Sequence, residues 1–542
     1  MSPEVRRDLH FNLTQAESRQ HTGSPAPPGW LLFLIPSVGD LLFLAILFLL
    51  STGVLSQKLL GDAGTGWHIR AGEQIITMHA VPRSDAFSVS TAGKPWYAWE
   101  WLYDAGIAVI HHWFGLNGIV VLTAFVIAVT FALTLRFSMR RGAGLPVALF
   151  LVLLAAAAST IHFLARPHVV TWLLLVIWFE VVDSSETSAD PRRLYWLSFI
   201  TLFWVNVHGG FLLGFVLCAL FFLGKALEYW RMPESRNNIM QWMKALATSS
   251  ALSLLVTLVN PYGYNLHLHI YRYLTDRFLM NHVEEFQSPN FHGLAQQCFA
   301  ALVLVTIATL AIATRKLRTS HLLIAVFAVY SGMYASRNLP ASSILLGLII
   351  APVLSTSIRE FAERATLLRG TWRWFLSFSH RMTTMEFRLR GHLWPMLGTA
   401  LLCVICFNHG SAGSMQLLDA QFSGKRFPVQ AVGYVEQHHP GMPIFAPDYW
   451  GGYLIYRLYP REKVFADDRH DLYGDAFLRR YLGVIHVVPG WQKVLGDWQV
   501  NLVVLPAESS LSNILKETHQ WQAEYEDETA TVFRRITAPQ EK

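Results

Sequence analysis

Residues 38–73 read VGDLLFLAILFLLSTGVLSQKLLGDAGTGWHIRAGE, and the character of the stretch changes once, at Gly61. Before it, apolar side chains follow one another without a break from Leu41 to Leu50, in a run that extends from Trp30 to about Leu55. Roughly 20 mostly apolar residues suffice for a helix to cross a bilayer. The run is too long for the apolar core of a secretory signal, and no small-residue cleavage site follows it, so it reads as a retained first span. The polar, proline-ended residues 1–29 before it read as a disordered tail. After Gly61 come Gly64 and Gly66, which allow tight backbone turns, and one carboxylate, Asp62, where the span ends.

The rest of the chain extends this pattern. Of its 542 residues 53% are hydrophobic and only 15% charged, against roughly a quarter charged in soluble proteins. Eleven apolar runs qualify as spans: 35–57, 117–136, 144–162, 168–183, 194–208, 210–229, 245–260, 296–314, 320–336, 339–357 and 393–410. The shorter ones must tilt, gain length from flanking aromatics, or re-enter. The net charge of +6 invites a nucleic-acid reading, but the excess lies in short clusters between apolar runs, where it orients spans. No nucleic-acid partner is expected. Cys218, Cys298, Cys403 and Cys406 sit in or beside apolar runs and read as packing residues, the C-x-x-C of the last two included.

Lys and Arg are unequally shared between alternate connections. One set, with Arg140, Arg141, Arg192, Arg193 and the seven arginines from Arg359 to Arg390, holds 21; the other holds eight. The richer set is assigned to the cytoplasm. This assignment places the N-terminus inside, and the loops 58–116 and 261–295 and residues 411–542 outside, of a plasma membrane. The outer segments are also where His, Trp, Tyr, Asp and Glu gather. The few charges inside apolar runs, chiefly Asp40, Glu180 and Lys225, lie near inner ends.

Several outer groups are candidates for chemistry. Asp62 with His68 is either part of a site or an interfacial hydrogen-bonded pair. Residues 67–79 carry Trp67, Ile69, Ile75, Ile76 and Met78 among charges and predict a helix in the interface plane. Trp96, Trp99, Trp101 and Trp113 suit an aromatic belt. Arg166 and His168 lie in a minimal outer turn, where a guanidinium fork suits a phosphate or pyrophosphate. His208 stands before Gly209 and Gly210, and Arg337 occupies another minimal turn, where a charge is costly unless paired or facing an anion. Glu284 and Glu285 are an adjacent acidic pair in the loop 261–295.

The segments D-A-G-T-G-W-H-I-R-A-G-E (62–73), V-P-R-S-D-A-F-S (81–88) and K-P-W-Y-A-W-E-W-L (94–102) resemble the first outer loop of bacterial membrane proteins of the GT-C glycosyltransferase superfamily. That group includes oligosaccharyltransferase catalytic subunits, protein O-mannosyltransferases and lipid A aminoarabinose transferase. The resemblance implies a polytopic helical membrane fold ending in an outer soluble domain, with an acidic residue after the first span beside the reacting sugar, here Asp62. It implies a second acid far along the chain, here Glu284 or Glu285. Where a D-x-D motif would have its second acid, this chain has Gly64. No metal ligand is assigned, and a divalent cation is left open.

From about Phe427 the pattern becomes that of an α/β domain. Helices are expected at 429–439 and 475–486, strands at 443–445, 463–467 and 501–506, and a terminal hairpin from 521–526 and 530–535. Tyr449 and Trp450, and Asp468 and Arg469, follow strands, the side on which open α/β sheets place ligands; the aromatic-Gly stretch 449–453 is similar to the acceptor-reading W-W-D-Y-G of oligosaccharyltransferases. These readings divide the chain into a tail (1–29), a transmembrane part (30–410) and an extracytoplasmic α/β domain (411–542). The expected function is transfer of a sugar from a polyprenyl-phosphate carrier to a glycan, lipid or protein acceptor at the outer face, with Asp62 and Glu284 catalytic. His68, Arg166, His168, His208, Arg337, Tyr449, Trp450, Asp468 and Arg469 would contact substrates. The alternative is a non-catalytic lipid or polymer translocator, or an assembly scaffold, of the same architecture.

Overall fold

The computed structural model describes residues 30–186, 190–314, 316–389 and 391–536; the expected tail over 1–29 lies outside the described residues. Each of the eleven expected runs carries a helix: α1 (Val38–Ser51), α3 (Trp101–Arg140), α4 (Leu145–Ser159), α5 (His168–Glu186), α6 (Trp196–Trp204), α7 (Leu212–Arg231), α8 (Arg236–Val256), α9 (Leu294–Ile312), α10 (Thr319–Tyr334), α11 (Leu339–Arg364) and α13 (Leu393–Phe407). Between them lie α2 (Gly64–Met78) and α12 (Arg369–Arg388). Eight helical segments among the described residues are long and apolar enough to cross a membrane. A ninth span is reached if α12 and α13, bent by 63°, count as one. Helices α10, of 16 residues, and α6, of nine, are shorter. The chain is an integral membrane protein.

The acidic residues and the lysine noted near the ends opposite Asp62 are paired locally. Asp40 closes a capping box with Ser37 at the start of α1, Glu180 and Asp183 hold Arg141, and Lys225 bonds Glu228. Helix α3 is two helical stretches joined at Gly115, whose φ of 58° is open to glycine without strain. Its first stretch therefore belongs to the loop ahead of the span.

The C-terminal part has the expected helices α14 (Val429–His438) and α16 (Asp475–Ile485), unexpected ones including α15 (Asp448–Leu458), and a sheet of β1 (Ile444–Phe445), β2 (Leu502–Pro506), β3 (Trp521–Glu526) and β4 (Ala530–Arg535) in the order β1-β2-β4-β3. β1 and β2 run parallel; the other neighbours are antiparallel. The strand expected at 463–467 is instead an isolated pair of bridges, Val464 to Ile444 and to Ser88 of the first loop. The first loop therefore joins this part of the fold through its backbone.

Two expectations for that loop are corrected. Helix α2 packs within the protein over most of its length: Trp67, Ile69 and Ile75 are buried because α2 is sandwiched between α3 and α15, and of its apolar side chains only Ile76 and Met78 near its end are exposed. The approach is close enough to require glycine on both sides, since a Cβ on Gly66 would stand 2.3 Å from the Gly452 carbonyl oxygen and one on Gly452 2.3 Å from that of Ala63. Trp96 is not an exposed belt residue either. It is buried and lies over the Arg469 guanidinium, 4.6 Å from ring centre to carbon, whereas Trp113 is exposed.

Candidate active site

Asp62 leaves α1 and its short continuation Gly53–Leu59 in an Asx turn, its Oδ1 accepting the Gly64 N–H at 2.7 Å. The same oxygen accepts from Arg166 Nη1 at 2.7 Å, and that nitrogen also donates to Asp468 Oδ2 at 2.8 Å. The turn carrying Arg166 is fastened to the loop before α2: the Ala165 N–H donates to the Leu59 carbonyl at 2.7 Å, and Thr65 Oγ1 donates to the Ala165 carbonyl at 3.0 Å. Asp468 is held from the other side by the Trp67 indole N–H at 2.9 Å. Three distant segments thus meet on one guanidinium. Gly64 is what lets them meet, because a Cβ there would stand 2.0 Å from Arg166 Nη1 and 2.6 Å from Asp468 Oδ2. Asp468, from the C-terminal part, is thus the second carboxylate beside Asp62.

The two acids are unlike electrostatically. Burial works to raise the Asp62 pKa, but the Arg166 charge and the Gly64 N–H bring it below its usual value. For Asp468 burial prevails over Arg166, with Asp62 and Asp467 adding repulsion, and the pKa is pushed up to about 6. Among the described residues no group of three or more His, Cys, Asp or Glu side chains is placed to hold a metal ion. No step below passes through a metal.

A second cationic group adjoins the first. Arg337 lies in the 3-10 turn Ser336–Asn338, its Nη1 3.4 Å from Glu285 Oε1 and its guanidinium 4.5 Å from the Phe286 ring centre. Histidines link the two arginine turns: His168 Nε2 contacts the His162 carbonyl at 2.8 Å, and His162 Nε2 the Ser336 carbonyl at 3.2 Å. Burial works to raise the Glu285 pKa, but Arg337 and, more weakly, Arg166 bring it down. Glu100, just before α3, is buried and its pKa is pushed up to about 8 chiefly by that burial. His208 faces it, Nε2 to Oε1, at 3.9 Å. Because His208 Nδ1 accepts the Gly210 N–H at 3.0 Å, the proton of the neutral ring sits on Nε2, toward Glu100.

The structure thus gathers Asp62, Arg166, His168, His208, Arg337 and Asp468. The remaining candidates lie elsewhere. Glu284 is exposed and its neighbour Glu285 meets Arg337. His68 is not paired with Asp62; it is fully buried, bonded to Asp104 at 2.6 Å and stacked on Trp67 at 3.6 Å between ring centres. It supports the indole that holds Asp468. Trp450 is buried, with its N–H on the Arg426 carbonyl, and Tyr449 is exposed. Arg469 is buried between Asp467 and Asp85, joining the C-terminal part to the first loop. Reading the sequence missed Glu100 and also Trp67 as a ligand of Asp468, which no local pattern announced.

The fold is that of the GT-C glycosyltransferases. ArnT from Cupriavidus metallidurans bound to undecaprenyl phosphate superimposes with a TM-score of 0.51 at 13% identity, covering 95% of this chain and 99% of that one. The apo oligosaccharyltransferase of Archaeoglobus fulgidus gives a TM-score of 0.51 at 12% identity, over 86% of this chain and 70% of that one. No family model matches the sequence, and no curated protein matches it.

Proposed function

We propose that the protein transfers a sugar from a polyprenyl-phosphate carrier to an acceptor hydroxyl or amine at the outer face of the membrane. The observation that carries this reading is the Asp62–Arg166–Asp468 clamp beside Arg337 and Glu285. Two guanidinium groups and two sets of carboxylates meet where spans end, which suits displacement of a lipid phosphate. The solved relative bound to undecaprenyl phosphate supports the class of donor.

In this mechanism the acceptor heteroatom attacks the anomeric carbon. The bond from that carbon to the carrier phosphate oxygen breaks, and the phosphate leaves with the electron pair. Arg166 Nη1 serves two carboxylates, while its other N–H groups make no hydrogen bond among the described residues, and these are free to meet a phosphate. As the phosphate draws Arg166 away, Asp62 and Asp468 lose their shared counter-charge and become more basic. The acceptor proton passes to one of them, while Arg166 and Arg337 stabilise the growing phosphate charge. Donor binding thereby arms the base. The C-terminal part, which contributes Asp468, covers the site and selects the acceptor.

Asp62→Asn keeps the shape and removes the charge. At equal membrane level it should restore a deletion strain's lipid-linked sugar and glycan profile roughly a hundredfold less efficiently. Full restoration would replace this reading with the scaffold or translocator.

A further inference from the structure

A cavity of about 610 Å3 lies at the end of the bundle opposite Asp62 and is not used by the reaction proposed above. It opens between the first turn of α1, the second half of α3, and α12 with α13. Its α3 wall runs from Phe125 to Met139, which at 1.5 Å per residue is roughly 20 Å. That exceeds half of a ~30 Å hydrocarbon layer, so the wall reaches from headgroup depth past the bilayer centre.

Charge is confined to Asp40, Arg136, Glu386 and His392. Three of these are engaged within the protein. Asp40 accepts the Ser37 N–H and contacts His392 at 2.9 Å, and Glu386 accepts the backbone N–H groups of Val38 and Gly39 at 2.7 and 2.9 Å. Arg136 is exposed, with no hydrogen bond or ion pair among the described residues. It is the cation left for a ligand.

Helix α12 borders the mouth. One side is anchored, Thr383 Oγ1 accepting the Leu145 N–H at 2.9 Å and Glu386 capping α1. The remainder exposes Arg369, Arg373, Arg381 and Arg388 together with Trp374. Arginine and tryptophan exposed on one amphipathic helix mark a segment at headgroup level that attracts anionic lipids.

We propose that this cavity binds one anionic phospholipid, with an acyl chain along α3 and the phosphate on Arg136. A zwitterionic headgroup would bring its own cation beside Arg136 and is disfavoured. A long apolar wall with Arg136 at its mouth matches a lipid better than a soluble anion, which would leave the wall unused.

The full chain, purified in detergent and stripped of lipid, is to be mixed with phosphatidylglycerol, phosphatidylcholine or inorganic phosphate. Native mass spectrometry should retain one phosphatidylglycerol per chain, bound about tenfold more tightly than phosphatidylcholine and not displaced by phosphate. Arg136→Gln should abolish the preference, Arg136→Lys should keep most of it, and Ala400→Phe, which fills the cavity, should weaken both lipids. Gel filtration confirms folding of each variant; Arg136 is exposed, so its substitution leaves packing intact. Equal binding of the two lipids, an unchanged preference in Arg136→Gln, or competition by phosphate alone would overturn the proposal. None of these readouts depends on sugar transfer.

Discussion

Gly64→Ala adds a single methyl group where the structure has no room for one. Its Cβ would stand 2.0 Å from Arg166 Nη1 and 2.6 Å from Asp468 Oδ2, so Arg166 must retreat by about 1 Å or more to reach ordinary contact distance. The hydrogen bonds to Asp62 and Asp468, at 2.7 and 2.8 Å, cannot both survive that shift. Hydrogen bonds to charged groups contribute about 1.5–3 kcal/mol each, and partial exposure places these near the lower limit. Gly64 begins α2 without a positive φ, so alanine brings up to ~1 kcal/mol of helix propensity in return. The net stability loss should be about 1–2 kcal/mol, while function in complementation should fall at least tenfold, because the phosphate-binding guanidinium is misplaced. A double-mutant cycle isolates the cause: with Arg166→Ala already present, Gly64→Ala should cost much less, the remainder being its contact with Asp468 Oδ2. Equal losses in both backgrounds, or wild-type function of Gly64→Ala, would refute the clamp.

Further outcomes follow from the same geometry. A reporter active only outside the cytoplasm should be active when fused after Lys542 and silent at Arg141; the reverse would invert the sidedness. Asp468 must be ionised to share Arg166 or take a proton, so activity should fall as pH drops through about 6, and Asp468→Asn should remove that limb of the profile. Since its folded pKa lies above the unfolded value, the same group costs stability as pH rises from about 4 toward 6, which a melting series on Asp468→Asn should show as a flattened slope. Asp85→Ala removes one of the two carboxylates on buried Arg469 and should lower stability by roughly 3 kcal/mol in denaturant titration; a loss below about 1 kcal/mol would show that the first loop is not tied through this pair.

The membrane spans were legible because burial in a bilayer acts on each apolar side chain nearly independently, so a run such as 41–50 declares itself locally. The terminal hairpin was legible for a similar reason, its alternation and its Asp527–Thr529 turn lying within one short segment. Asp62, Arg166 and Arg337 could be chosen because charge at the end of a span is costly unless it has a purpose. What the sequence alone left open was which charges meet. Asp468 lies 302 residues from Arg166, and nothing local distinguishes it from Asp467 next to it, which the fold pairs instead with buried Arg469. Glu284 and Glu285 are likewise equivalent in composition, and only the turn geometry faces one of them toward Arg337. Hydropathy sums along the chain, whereas an ion pair depends on a few ångströms between segments that only the packed structure brings together.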